Sequence, residues 1–124
     1  MPPFGPLHEA LGPMYVCRSD KYWLVGMRVE ERHHNKGPML HGGMMAFFID
    51  TAFTYACVFS SVPRKMAVTS ALTIDFAGSA KAGDWIEAHV DVMRNGRRVV
   101  FLNCFVFRGD ERIARGSATF QVVG

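Results

Sequence analysis

His41, Gly42 and Gly43 stand just before a long apolar run, and Asp50 is the one charged residue inside residues 44–59. An ionised carboxylate among apolar neighbours is costly unless it is hydrogen-bonded or paired. A carboxylate kept there is suited to taking a proton from water or attacking a carbonyl itself. The glycines sit where the run begins. The first turn of a helix presents free N–H groups and the positive end of its dipole. Glycines let a ligand approach that backbone closely. Such a turn can hold a carbonyl oxygen whose charge grows during attack.

Each signal has a plainer explanation. Gly42 and Gly43 could form only a turn, and Asp50 could face solvent. The two together on one helix favour chemistry, and their spacing adds a constraint. Eight residues at 1.5 Å each separate Gly42 and Asp50 by about 12 Å along the axis. A scissile carbonyl must lie about 3 Å from both its donor and its attacking group. One copy cannot easily supply both, whereas two copies with antiparallel helices can. A catalytic Gly42 and Asp50 therefore place the site across a two-fold dimer interface.

Other residues are weaker candidates. Asn35 could donate to a carbonyl or hold a water, or simply form a turn. His41 could be a hydrogen-bond partner within the site. Thr69 and Ser70 could hold a water or the carboxylate. Gly43 could contribute to ligand approach beside Gly42. Arg94, Arg97 and Arg98 flank Asn95-Gly96 and could meet phosphates, though charged hairpin tips are usually only solvated. His33 and His34 lack metal-ligand spacing, so no metal is expected, and no cofactor motif is present. GxSxG, GxxxxGK[ST] and GxGxxG are all missing, which removes serine-hydrolase, P-loop and dinucleotide readings.

These residues need a scaffold. The chain has 124 residues, one domain's worth, so residues 1–124 are read as a single domain. Residues 1–12 form a lead-in, with a short helix over 7–12. Residues 14–31 pattern as two strands around a turn at Ser19-Asp20-Lys21. Residues 33–40 read as a loop. The long helix runs from Gly42 to about Ser60, apolar on every side and so in need of cover on every side; Pro63 ends it. Val68, Ser70, Leu72, Ile74 and Phe76 alternate with polar neighbours, as do Ile86, Ala88, Val90 and Val92. Asn95-Gly96 predicts a type I′ hairpin and Gly109-Asp110 a second turn. The last three strands then form an antiparallel meander. The class is α+β, with a sheet curled around the long helix.

Composition narrows the function. Hydrophobic residues are 49% and charged residues 20%, which is globular rather than disordered. A net charge of +3 without a Lys- or Arg-rich run suits a small anionic ligand, and no nucleic acid is expected. Cys17, Cys57 and Cys104 are odd in number and widely spaced, which suggests a reducing compartment. Residues 1–6 lack the regions of a signal peptide. The apolar run is short for a bilayer span, so no membrane insertion is expected. A cytoplasmic protein is the expectation.

From Asn35 to the C-terminus the order of residues resembles the hotdog-fold acyl-CoA thioesterases, the phenylacetyl-CoA thioesterase type and its thioesterase superfamily relatives. The resemblance rests on His41-Gly42-Gly43, Asp50, the following Thr51-Ala52-Phe53-Thr54-Tyr55-Ala56, Thr73-Ile74-Asp75-Phe76, Gly83-Asp84 and Arg94-Asn95-Gly96-Arg97. It implies a hotdog fold, a homodimer or homotetramer, and hydrolysis of an acyl-CoA. Asp50 would act as general base or nucleophile, the Gly42 N–H would polarise the thioester carbonyl, and Asn35 would orient the water. Thr69, with Ser70 beside it, aligns with a strand hydroxyl that is Ser in some members. Around Gly78-Ser79-Ala80 the sequence departs from a proline common in the family. Two other readings remain: a hotdog hydratase, for which the Asp and His pairing near the helix start is missing, and a non-catalytic acyl-CoA-binding module, in which Asp50 would have no task.

Overall fold

The structure, a computed structural model, describes residues 5–64 and 66–123. The start of the expected lead-in, residues 1–4, lies outside them. A short helix α1 (Pro6–Leu11) precedes two strands, β1 (Tyr15–Arg18) and β2 (Trp23–Arg28). They join at Ser19, whose N–H donates to Tyr22 O at 2.9 Å, so the predicted turn forms. A loop with one 3-10 turn (Glu31–His33) leads to the long helix α2 (Gly42–Phe59). The strands β3 (Met66–Phe76), β4 (Trp85–Asn95), β5 (Val99–Arg108) and β6 (Glu111–Val123) complete the chain.

All six strands form one antiparallel sheet in the order β1-β2-β4-β5-β6-β3. It curls around α2 as expected. Strand alternation sends Ile86, Ala88 and Val90 of β4 and Val100, Leu102, Cys104 and Val106 of β5 into the hollow. They meet Phe48, Ile49, Ala52, Phe53 and Ala56 of α2, all with no exposed surface. Phe53 packs edge-on against Phe120 of β6. Gly116 lets the helix come close, since a Cβ there would lie 3.0 Å from Ile49 Cγ2. By length and composition α2 could cross a membrane, yet over half of it is buried inside this fold.

The cover is not complete. Gly43, Phe47, Asp50, Thr54 and Val58 recur every three or four residues and form a stripe that the sheet leaves at least partly open. Helix α2 was expected to be covered by the sheet or by a second copy; in the single chain this stripe is left open, and Asp50 is half-buried on it.

Two local predictions are corrected. The alternation read along β3 breaks at Ser70, where the register with β6 slips between Thr69 and Ala71. This bulge puts Val68 on the outside, 56% exposed, while Leu72 and Ile74 pack against the core. The Asn95-Gly96 turn is not type I′, which requires positive φ at both central residues: neither has one. Asn95 pairs with Val100 and the Gly96 N–H donates to Val99 O at 3.1 Å, so the chain turns one step further on, at Arg97-Arg98. Gly109-Asp110 does make a tight hairpin, with Gly109 at φ +60° and Arg108 paired with Glu111.

Candidate active site

The bulge in β3 has a consequence for Asp50. It aligns Thr69 with the buried Phe120 on the helix-facing side of the sheet. The Thr69 hydroxyl donates to Asp50 Oδ1 at 2.6 Å, a length typical of hydroxyl–carboxylate bonds. Bulges often re-aim a side chain beside a functional site. Only Oδ1 takes this bond, so Oδ2 remains open to a water. Exchanging Thr69 for valine keeps its shape and removes the donor. We expect kcat to fall about 10- to 100-fold, the worth of a hydrogen bond to a charged group, with the circular-dichroism spectrum unchanged.

The helix start is built by His41. Its Nδ1 accepts the Gly43 N–H at 2.8 Å, and its carbonyl accepts the Met45 N–H. The ring thus serves as the N-cap. The Gly42 N–H stays without a partner among the described residues. A Cβ on Gly42 would meet only the Phe76 ring, at 3.7 Å. A free N–H at the positive end of an 18-residue helix is a ready donor for a developing oxyanion. Gly43, by contrast, spends its N–H on the cap.

Strand β3 therefore touches both features, Thr69 at Asp50 and Phe76 at Gly42. Within one chain they remain separated by the eight-residue helical interval. Asn35 stands in the loop before α2, where its side-chain oxygen accepts the Gly37 N–H at 2.8 Å, an Asx turn; no hydrogen bond joins it to Asp50 or Gly42 of its own chain. Ser70, the bulged residue, bonds Thr119 instead of Asp50. Arg94, Arg97 and Arg98 are exposed around the β4–β5 connection. That connection lies at the Thr69 end of the sheet, because Arg98 O accepts the Val122 N–H two residues beyond Phe120. Asn95 also donates to Ser61, just past α2. Cys104 is no rival nucleophile. Burial pushes its thiol up to about 12 despite an opposing bond from the Gly116 backbone, and a thiol is reactive as the thiolate.

Two roles went unread in the sequence. His33 is buried: its Nδ1 accepts the Glu30 N–H at 3.0 Å, so a neutral ring donates through Nε2 to Leu11 O at 2.8 Å. His34 Nε2 accepts the Ala82 N–H. Both histidines fasten the loop that leads to His41. The capping-box spacing of Glu30 and His33 was the available signal.

A six-stranded antiparallel sheet wrapped on one long helix is the hotdog fold. Residues 37–114 match the thioesterase superfamily model, and the chain belongs to that family. It is 36% identical over 120 residues to the Pseudomonas aeruginosa protein PA0474, which carries an esterase designation, covering 95% of this chain and 89% of that one. It is 34% identical over 90 residues to the Escherichia coli acyl-coenzyme A thioesterase PaaI, covering 73% of this chain and 62% of PaaI. The PaaI structure superposes with a TM-score of 0.83 at 28% identity, over 95% of this chain and 84% of that one.

Proposed function

We propose that the protein hydrolyses an acyl-CoA thioester to the free acid and CoA at a site shared by two copies. The observation that carries this reading is the Asp50–Thr69 pair at one end of β3 and the open Gly42 N–H at the other. Strand β3 is an edge strand of 11 residues with Met66, Val68 and Phe76 exposed. A long apolar edge invites pairing with another strand. Thr69 and Phe76 lie on either side of the middle of the strand, near Leu72 and Thr73. Antiparallel pairing of two β3 strands about that point sets the Thr69 end of one copy beside the Phe76 end of the other. Asp50 of each copy then faces Gly42 of its partner.

In such a site the thioester oxygen accepts the Gly42 N–H. Asp50 Oδ2 takes a proton from water as the water oxygen bonds to the carbonyl carbon, and the tetrahedral oxyanion is held at Gly42. Collapse breaks the C–S bond, and the departing sulfur takes the proton from Asp50. Thr69 holds Oδ1 throughout. Asn35, in the loop before the helix, is assigned to orient the water through its free amide, and His41 to keep the first turn wound, with Gly43 as its anchor. The three cysteines, none in a disulfide, suit a cytoplasmic enzyme.

Arg94, Arg97 and Arg98 lie toward the Asp50 end of the sheet and are assigned to the CoA phosphates, with Ser70 of β3 at the same end. Exchanging all three arginines for glutamine should raise KM severalfold and weaken its salt dependence while kcat holds. An unchanged KM would remove the hairpin from the phosphate site. The direct test of the function is a thiol-release assay on a panel of acyl-CoAs. Steady CoA release supports hydrolysis; binding without turnover supports a sensor.

A further inference from the structure

A cleft of about 410 Å³ opens between α1 and the first turns of α2, lined by Leu7, Leu11, His41, Gly43, Met44 and Phe47 among others. We propose that this cleft receives the acyl group of the substrate and that helix α1 is the wall that limits its length; the proposal rests on the thioesterase reading. The position follows from the chain: His41 and Gly43, on either side of Gly42, line the cleft. A carbonyl oxygen on the Gly42 N–H therefore has its acyl carbons at the cleft mouth and its sulfur toward β3. The volume falls within the range of about 300–1,000 Å³ usual for small-molecule sites.

The chemistry of the lining selects an apolar occupant. Leu7, Leu11, Met44 and Phe47 supply its hydrocarbon surface. The polar side chains at its margin already have partners: His33 with Glu30 and Leu11, His34 with Ala82, His41 with Gly43, and Arg32 with Glu30. An apolar chain breaks none of these bonds as it enters.

Helix α1 is held in a way suited to a wall. It has six residues, none of them buried, so apolar burial contributes little to its docking. Instead it is tied at several points. Tyr55 Oη and His8 Nε2 are hydrogen-bonded at 2.8 Å. His33 donates to Leu11 O, and Arg32 donates to Ala10 O and Gly12 O. These ties fix where Leu7 and Leu11 stand, and hence the depth of the cleft.

Binding of non-hydrolysable S-alkyl-CoA thioethers, measured by calorimetry, tests this without depending on turnover. Affinity should rise about fourfold per methylene until the cleft is full. Leu7 is 57% exposed, so the fold tolerates tryptophan there. Leu7→Trp should end the rise at a shorter chain and leave S-methyl-CoA affinity unchanged. Phe47→Ala should extend the rise to longer chains, and it decides the matter if Leu7→Trp does not fold. A chain-length dependence the same as wild type in every folded variant overturns the proposal. If S-methyl-CoA does not bind at all, the CoA reading fails instead. Free carboxylic acids of the same lengths, titrated in parallel, then decide the cleft alone: a length limit moved by either variant supports it, and none overturns it.

Discussion

Replacing Asp50 with asparagine is expected to lower kcat by about 10²–10⁴-fold, the usual worth of a general base. The exchange is nearly isosteric. Asparagine can still accept the Thr69 hydroxyl through its amide oxygen, so the bond that orients the side chain survives. What is lost is the capacity to take a proton from water. Asp50 is half-buried on the open stripe of α2, so the neutral amide adds no buried orphan and folding should persist. The measurement is kcat on the best acyl-CoA of a panel, with KM and circular dichroism alongside. A KM close to wild type would place the effect in the chemical step. Near-normal kcat would remove Asp50 from the chemistry. A single turnover in ¹⁸O-labelled water separates the two roles open to a carboxylate. As a general base, Asp50 leaves the label in the product acid from the first turnover. As a nucleophile whose anhydride water opens at the Asp50 carbonyl carbon, it would give an unlabelled first product, because the oxygen would come from Asp50.

The parts of this architecture that follow from local pattern were legible in the sequence. Residues 42–60 carry one charge in an apolar run, and α2 forms there. The final meander follows from alternation in β4 and β5 and from the Gly109-Asp110 turn. The pairing of a glycine-led helix start with Asp50 was legible too, because both lie on one element with a fixed rise. What was not legible depends on partners distant in sequence. The Ser70 bulge is set by the pairing of β3 with β6, and nothing in the composition of β3 marks it. Thr69 and Ser70 were therefore both candidates to hold the carboxylate, and it is the bulge that aims Thr69 at Asp50 and ties Ser70 to Thr119. The Asn95-Gly96 pair favours a turn of its own, yet the pairing of Asn95 with Val100 and of Gly96 with Val99 carries the turn on to Arg97-Arg98. The open stripe on α2 reflects how far the sheet wraps around the helix, a property of the assembled fold. Asn35 forms an Asx turn in the isolated chain, the plainer of its two readings.

The central claim is that Gly42 and Asp50 serve one carbonyl from two different copies. A Gly42→Val variant should be inactive, since the side chain covers the N–H that receives the oxyanion, while its Cβ stands in ordinary contact with the Phe76 ring at 3.7 Å. Asp50→Asn should be inactive for the reason given above. Neither change lies on the strand through which the copies are proposed to pair, so both variants should remain folded and self-associated. The decisive measurement mixes these two inactive proteins under conditions that exchange subunits, with exchange followed by mass spectrometry of differently tagged copies. In a mixed dimer one site carries both lesions and the other carries neither. At equal amounts and random exchange, half of the dimers are mixed and half of their sites are intact, so about a quarter of wild-type activity should return. Activity that returns as mixed dimers form is the predicted result; mixed dimers that form fully and stay inactive, with each parent variant folded, would contradict the shared site.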